Sequence, residues 1–125
     1  MIQHLKASLN PEQFQGVTTI DGPVLIIAGA GSGKTRVITY RIAFMLSSGI
    51  PQSSILALTF TNKAAREMEE RVKSLTGKKL KQLSVSTFHA FGVQILKKHI
   101  TKLGYRENFS IYDTSDQISL IKETA

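Results

Sequence analysis

Cysteine is absent from the chain, which excludes disulfides, thiolate metal sites and a cysteine nucleophile and fits a reducing compartment. No apolar run approaches the ~18 residues of a membrane span. The first residues lack the apolar core and cleavage site of a secretory signal. No membrane partner is therefore expected, and the expected location is cytoplasmic. There is no internal repeat and no low-complexity segment. Carboxylates are missing in a more local way: none occurs between Asp21 and Glu67, while Lys34, Arg36, Arg41, Lys63 and Arg66 all fall in that interval. No Asp-Glu pair occurs anywhere.

What is present fits a single domain. At 125 residues, 42% of them apolar, the chain should bury roughly two-thirds of its unfolded surface. Sixteen basic against nine acidic residues give a formal charge of +7. That excess favours a polyanionic partner, with a plainly solvated basic surface as the alternative.

The stretch Ala28-Gly29-Ala30-Gly31-Ser32-Gly33-Lys34-Thr35 organises the reading. Val24-Leu25-Ile26-Ile27 before it is a continuous apolar run bounded by Gly22-Pro23, the pattern of a buried strand. After it, Ile38, Ile42 and Met45 recur at helical spacing. Strand, glycine-rich turn and helix are the setting of a phosphate-binding loop. Glycines allow positive φ and close approach of the backbone. Successive N–H groups and the helix N-terminus then face the anion. In that pattern Lys34 reaches the β- and γ-phosphates and the Thr35 hydroxyl ligates Mg²⁺. Ala28 stands where the usual pattern has its opening glycine. A nucleoside triphosphate is the expected ligand.

Asn10-Pro11-Glu12-Gln13 reads as a helix start, with Asn10 as N-cap, Pro11 at the first helical position and Gln13 as capping-box partner. The Gln13 amide is also able to read an adenine edge, and spacing alone leaves both roles open. Met1 to Leu9 is too short and mixed to assign. The helix after the glycine-rich turn should end near Ser47-Ser48-Gly49. Ile55 to Phe60 is the second expected strand, and Thr61 or Asn62 caps a helix with Ala65, Met68, Val72 and Leu75 on its apolar face. Thr76 to Gln82 reads as a basic loop, mobile and solvated, with contact to phosphates as the alternative. Leu83 to Thr87 is the third expected strand, followed by a helix from Phe88 to Leu103 that Gly104 stops. Phe109 to Asp113 reads as strand or extended chain, and Thr114 with Gln117 as a capping box for a helix still running at Ala125. Three strands each followed by a helix predict an α/β fold with a parallel sheet and right-handed crossovers. Ligands of such sheets bind beyond the carboxyl ends of the strands, here at residues 28–35, 60–63 and 87–89. Beyond the glycine-rich turn, two of these ends carry an aromatic beside small polar groups, Phe60-Thr61-Asn62-Lys63 and Thr87-Phe88-His89. They are able to stack on bases and bond phosphates, or to be ordinary core and capping residues.

With these motifs placed, the chain resembles the N-terminal part of the UvrD/Rep/PcrA-type superfamily 1 DNA helicases. Leu9 to Gln13 is similar to that family's Q motif, Ala28 to Val37 to its first motif, Thr59 to Met68 to motif Ia, and Ser86 to His89 to motif Ib. The resemblance implies a P-loop, RecA-like sheet that is incomplete in a truncated chain. Residues 1–108 would be part of domain 1A, and 109–125 the start of the inserted subdomain 1B. It implies ATP and Mg²⁺ as cofactors, held by Gln13 at the adenine, by Ala28, Gly29, Ala30, Gly31, Ser32, Gly33, Lys34 and Thr35 at the phosphates, and by Arg36 beside them. Lys34 and Thr35 would be the catalytic contribution. Phe60, Thr61, Asn62, Thr87 and His89 would touch single-stranded DNA. Partners would be single-stranded and 3′-tailed duplex DNA and the rest of a helicase chain (1B, 2A, 2B), in repair or replication. Translocation would run 3′ to 5′, driven by ATP hydrolysis.

Hydrolysis also requires an acid on Mg²⁺ and a water-activating carboxylate, which the family supplies as an Asp-Glu pair. Ile111-Tyr112-Asp113 offers a single acid only, so the 125 residues alone are expected to be inactive. Two alternatives stand beside this reading. A different P-loop NTPase would fit Asn62-Lys63, but Ala65 removes the base-reading carboxylate of a GTPase. A non-enzymatic nucleotide-binding module would fit the missing acids.

Overall fold

The computed structural model describes residues 2–31 and 33–124, which divide into two compact units, residues 1–88 and 89–125. In the first unit, the unassigned N-terminal stretch is a helix, α1 (Ile2–Ser8). Leu5 and the residue four further on, Leu9, bury themselves with Val17 and Val37 in a small core. That spacing places both on one helical face, a signal too short to be decisive in the sequence. Asn10 and Gln13 form the complete capping box that opens α2 (Pro11–Thr18). The helix after the glycine-rich turn, α3 (Lys34–Ser47), joins this small core through Val37. Through Ile42 and Leu46 it enters a larger core with Ile55, Ala57, Met68, Val72 and Leu80.

Strands β1 (Leu56–Thr59) and β2 (Ser84–Thr87) pair in parallel, with Leu56 opposite Ser84 and Thr59 opposite Thr87. Between them runs α4 (Asn62–Thr76), whose N-cap is Thr61 and whose C-cap is Gly77 at φ 64°. Its Ala65, Met68 and Val72 are the buried face, as the apolar spacing requires. The fold is thus mixed α/β with a two-stranded parallel sheet.

Val24 to Ile27 corrects the sequence reading, because it is not a strand. Its relative exposures, 39, 85, 43 and 90%, alternate as pleated chain does. Val24 and Ile26 lie with Gly16 and Thr19 of the preceding helix region around one cavity. Leu25 and Ile27 are the more exposed pair, and they too border that cavity. A run of apolar residues becomes a strand only when a neighbour accepts its backbone hydrogen bonds. Among the described residues, the sheet contains β1 and β2 alone.

The basic loop is also unlike its expectation. Leu80 is part of the larger core. Gln52, in a 3₁₀ turn (Gln52–Ser54) ahead of β1, donates from Nε2 to the Lys79 carbonyl at 3.0 Å and accepts from the Gln82 N–H at 3.1 Å. One side chain fastens both ends of the lysine run.

In the second unit, α5 (Phe88–His99) tightens into a 3₁₀ turn (Ile100–Leu103) that Gly104 ends at φ 84°. Residues 109–113 carry no regular structure. The next helix, α6 (Thr114–Thr124), is capped one residue earlier than the Thr114–Gln117 reading. Asp113 accepts from the Asp116 N–H at 2.8 Å, and Asp116 accepts from the Asp113 N–H at 3.1 Å. A carboxylate at each position of the box satisfies two helix-end donors and favours the helix dipole.

Candidate nucleotide site and aromatic strand ends

Gln13 is positioned twice over. Its Oε1 accepts from the Asn10 N–H at 3.1 Å, while its own N–H donates to Asn10 Oδ1 at 2.8 Å. The amide nitrogen turns the other way, so that a methyl group built on Gly33 would stand 3.0 Å from Gln13 Nε2. Capping and facing the glycine-rich turn are therefore not alternatives.

Asn10, Gln13, Ala28, Gly29, Lys34 and Val37 line one cavity of about 370 Å³, together with Glu12, Ile26 and Ile27. It joins the first residues of α2 to the start of α3. Gly31 and Gly33 have φ of 75° and 83°, the left-handed region that only glycine enters without penalty. Gly33 is the N-cap of α3 and makes no side-chain cap bond, and a helix N-terminus of this kind favours an anion. Around Gly29 and Gly31 a Cβ would meet nothing within 4 Å, which leaves the turn's backbone approachable. Ala30 is exposed beside them, and Lys34 and Thr35 are exposed in the first turn of α3. Ser32 lies outside the described residues. Among the described residues no cluster of three or more His, Asp or Glu could hold a metal ion. A divalent cation here would have Thr35 and the ligand's own phosphates as its partners.

Arg36 does not line this cavity. Its guanidinium donates to the Ser8 carbonyl at 2.7 Å and lies 5.4 Å from the Tyr40 ring centroid. Arg41 is likewise engaged internally, donating to the carbonyls of Gly16 and Thr19 at the end of α2. Two of the five cations in the carboxylate-free interval thus bond the protein's own backbone.

The parallel register explains the second group. Thr59 and Thr87 are paired and buried, so the residues that follow, Phe60 and Phe88, leave adjacent strands side by side. Their ring centroids are 5.9 Å apart at an interplanar angle of 40°, and Phe60 is 92% exposed. Thr61 Oγ1 accepts from the Ala64 N–H at 3.1 Å, which is the cap the sequence predicts. Asn62 is exposed at the first position of α4. Thr87 is buried, whereas Thr61, Asn62 and Lys63 are exposed. His89, in the second unit, is exposed in the first turn of α5. Phe88, which the sequence offers as an aromatic able to stack but which the family resemblance does not assign, is the ring that Phe60 faces. The equal offset of the two phenylalanines from their strands was the available signal.

Residues 9–125 match the family described as UvrD/REP helicase N-terminal domain. The chain is 53% identical over 119 residues to the ATP-dependent DNA helicase PcrA of Bacillus subtilis, with 94% of this chain aligned. It is 50% identical over 116 residues to the protein of the same name from Staphylococcus aureus strain Mu50. The Staphylococcus epidermidis protein of that name is 48% identical over 120 residues. In each case the alignment spans 16% of the relative's length.

Proposed function

Because the chain belongs to the UvrD/REP helicase N-terminal domain family, we propose that it is the ATP-binding and single-strand-contacting part of an ATP-dependent 3′–5′ DNA helicase. Residues 1–108 are assigned to the RecA-like domain 1A and 109–125 to the start of 1B. The observation that carries the reading is the cavity shared by Gln13, Ala28, Gly29 and Lys34, in which a capped helix start meets the glycine-rich turn. ATP with Mg²⁺ supplies the triphosphate whose hydrolysis would drive translocation along single-stranded or 3′-tailed duplex DNA. The chain's own residues bind and orient it. Gln13 would contact the adenine edge, the glycine-rich turn would hold the phosphates, Lys34 would offset their charge, and the Thr35 hydroxyl would hold the cation. Arg36 fixes the end of α1 against α3 beside this site.

Phe60 and Phe88 form a stacking surface for an unpaired base, with Thr61, Asn62, Thr87 and His89 as polar neighbours in the sequence. Base–aromatic stacking contributes about 1–3 kcal/mol per base, so Phe60→Ala should lower affinity for an oligo(dT) strand by roughly tenfold or more. An unchanged affinity, measured by fluorescence anisotropy, would overturn the DNA-contact assignment. These 125 residues contain no Asp-Glu pair, so they should bind ATP with negligible turnover. Sustained phosphate release that Lys34→Ala abolishes would contradict that expectation.

A further inference from the structure

We propose that the loop carrying Lys78, Lys79 and Lys81 is a second nucleic-acid backbone contact, on the sheet edge opposite Phe60 and Phe88. In a parallel pair the two strands share their amino and carboxyl ends. Phe60 and Phe88 follow the last residues of β1 and β2, whereas Gln52 precedes β1 and Lys78 to Gln82 precede β2. The two surfaces therefore lie at opposite strand ends.

Three observations separate this loop from ordinary solvated lysines. Its backbone is held at several points: Gly77 closes α4 with its N–H on the Lys73 carbonyl at 2.8 Å, Gln52 grips Lys79 and Gln82, and Leu80 is buried in the core. Ordering the backbone beforehand removes part of the entropy cost of binding. All three lysines are exposed. No carboxylate occurs between Glu70 and Glu107 in the sequence, so the loop's charge is not neutralised by its sequence neighbours.

The chemistry favours phosphates over an acidic protein. Lysine is a compact charge that bonds phosphate without demanding a fixed geometry, and it is depleted in protein–protein interfaces. Such interfaces also need an apolar centre, and the loop's one leucine points into the core.

The test measures affinity of the intact chain for labelled oligo(dT) and for a blunt duplex across a salt series. It compares wild type, Lys78→Gln/Lys79→Gln/Lys81→Gln, Gln52→Ala and Phe60→Ala. Each phosphate contact contributes a slope of about 0.7 to 0.9 in log K against log salt. The triple variant should flatten that slope by roughly 2 on at least one of the two nucleic acids. Gln52→Ala, which keeps every charge, should weaken binding several-fold with the slope unchanged. A triple variant with the wild-type slope on both nucleic acids overturns the proposal. So does one that keeps its DNA slope but loses binding to polyglutamate, which would make the partner an acidic protein. Gln52→Ala binding as tightly as wild type overturns the part assigned to loop ordering. Phe60→Ala should lower oligo(dT) affinity without changing the slope, so failure at the aromatic site is read separately from failure at the loop.

Discussion

Gln13 caps α2 through its oxygen, and the base contact proposed for its amide nitrogen can be separated from that cap. Glutamate at this position would keep the oxygen that accepts from Asn10 while removing the amide N–H groups that face Gly33. Gln13→Glu should therefore leave the melting temperature within a few degrees of wild type. Added charge repels any triphosphate alike, so the telling quantity is the ratio of ATP to GTP affinity, which should fall toward one. A preserved ratio would mean that the amide does not read the base. Asn10→Ala should do the reverse, costing about 1 kcal/mol of stability through the lost cap with the ratio intact. Gly33→Ala faces both a φ of 83° and the Gln13 amide at 3.0 Å. A residue forced into the left-handed region costs roughly 1–2 kcal/mol, so thermal unfolding should show a loss of that order together with weakened nucleotide binding.

The elements were legible in the sequence wherever local chemistry suffices to form them. The Asn10–Gln13 box, the Thr61 cap and the Gly104 stop all lie where side-chain chemistry places them, because each is decided within four residues. Val24 to Ile27 was misread because a strand is a relation between two segments, and no composition supplies the second. The lysine loop was misread for a similar reason: its anchor, Gln52, lies 27 residues before Lys79 in the chain. Amide hydrogen exchange distinguishes these elements. Protection follows local hydrogen bonding and burial. The Ala57 and Leu58 amides should exchange slowly, and those of Leu25 and Ile27 near the rate of unstructured chain. Leu25→Thr alters a residue that is 85% exposed and off the Gln13 cavity, and such changes typically fall within about 0.5 kcal/mol. The exposed apolar run is also the segment best placed to bind its like. The Leu25→Thr variant should therefore reduce self-association in sedimentation experiments without lowering the melting temperature.

For the molecule as a whole, the +7 charge is unevenly employed. Arg36 and Arg41 bond backbone carbonyls within the fold, and so contribute to packing rather than to a free surface. Lys34 lies on the cavity that Gln13 shares with the glycine-rich turn, and Lys78, Lys79 and Lys81 stand on an anchored loop at the other strand ends. A basic sequence thus divides into cations bonded within the fold and cations left exposed for the proposed ligands, which net charge alone cannot distinguish. The account rests on the cavity where Gln13 meets the glycine-rich turn, and calorimetric titration with Mg·ATP tests it most directly. The wild-type chain should bind one equivalent, and Lys34→Ala should abolish that binding at an unchanged melting temperature. No heat of binding in the wild type, or the same affinity in Lys34→Ala, would contradict the account.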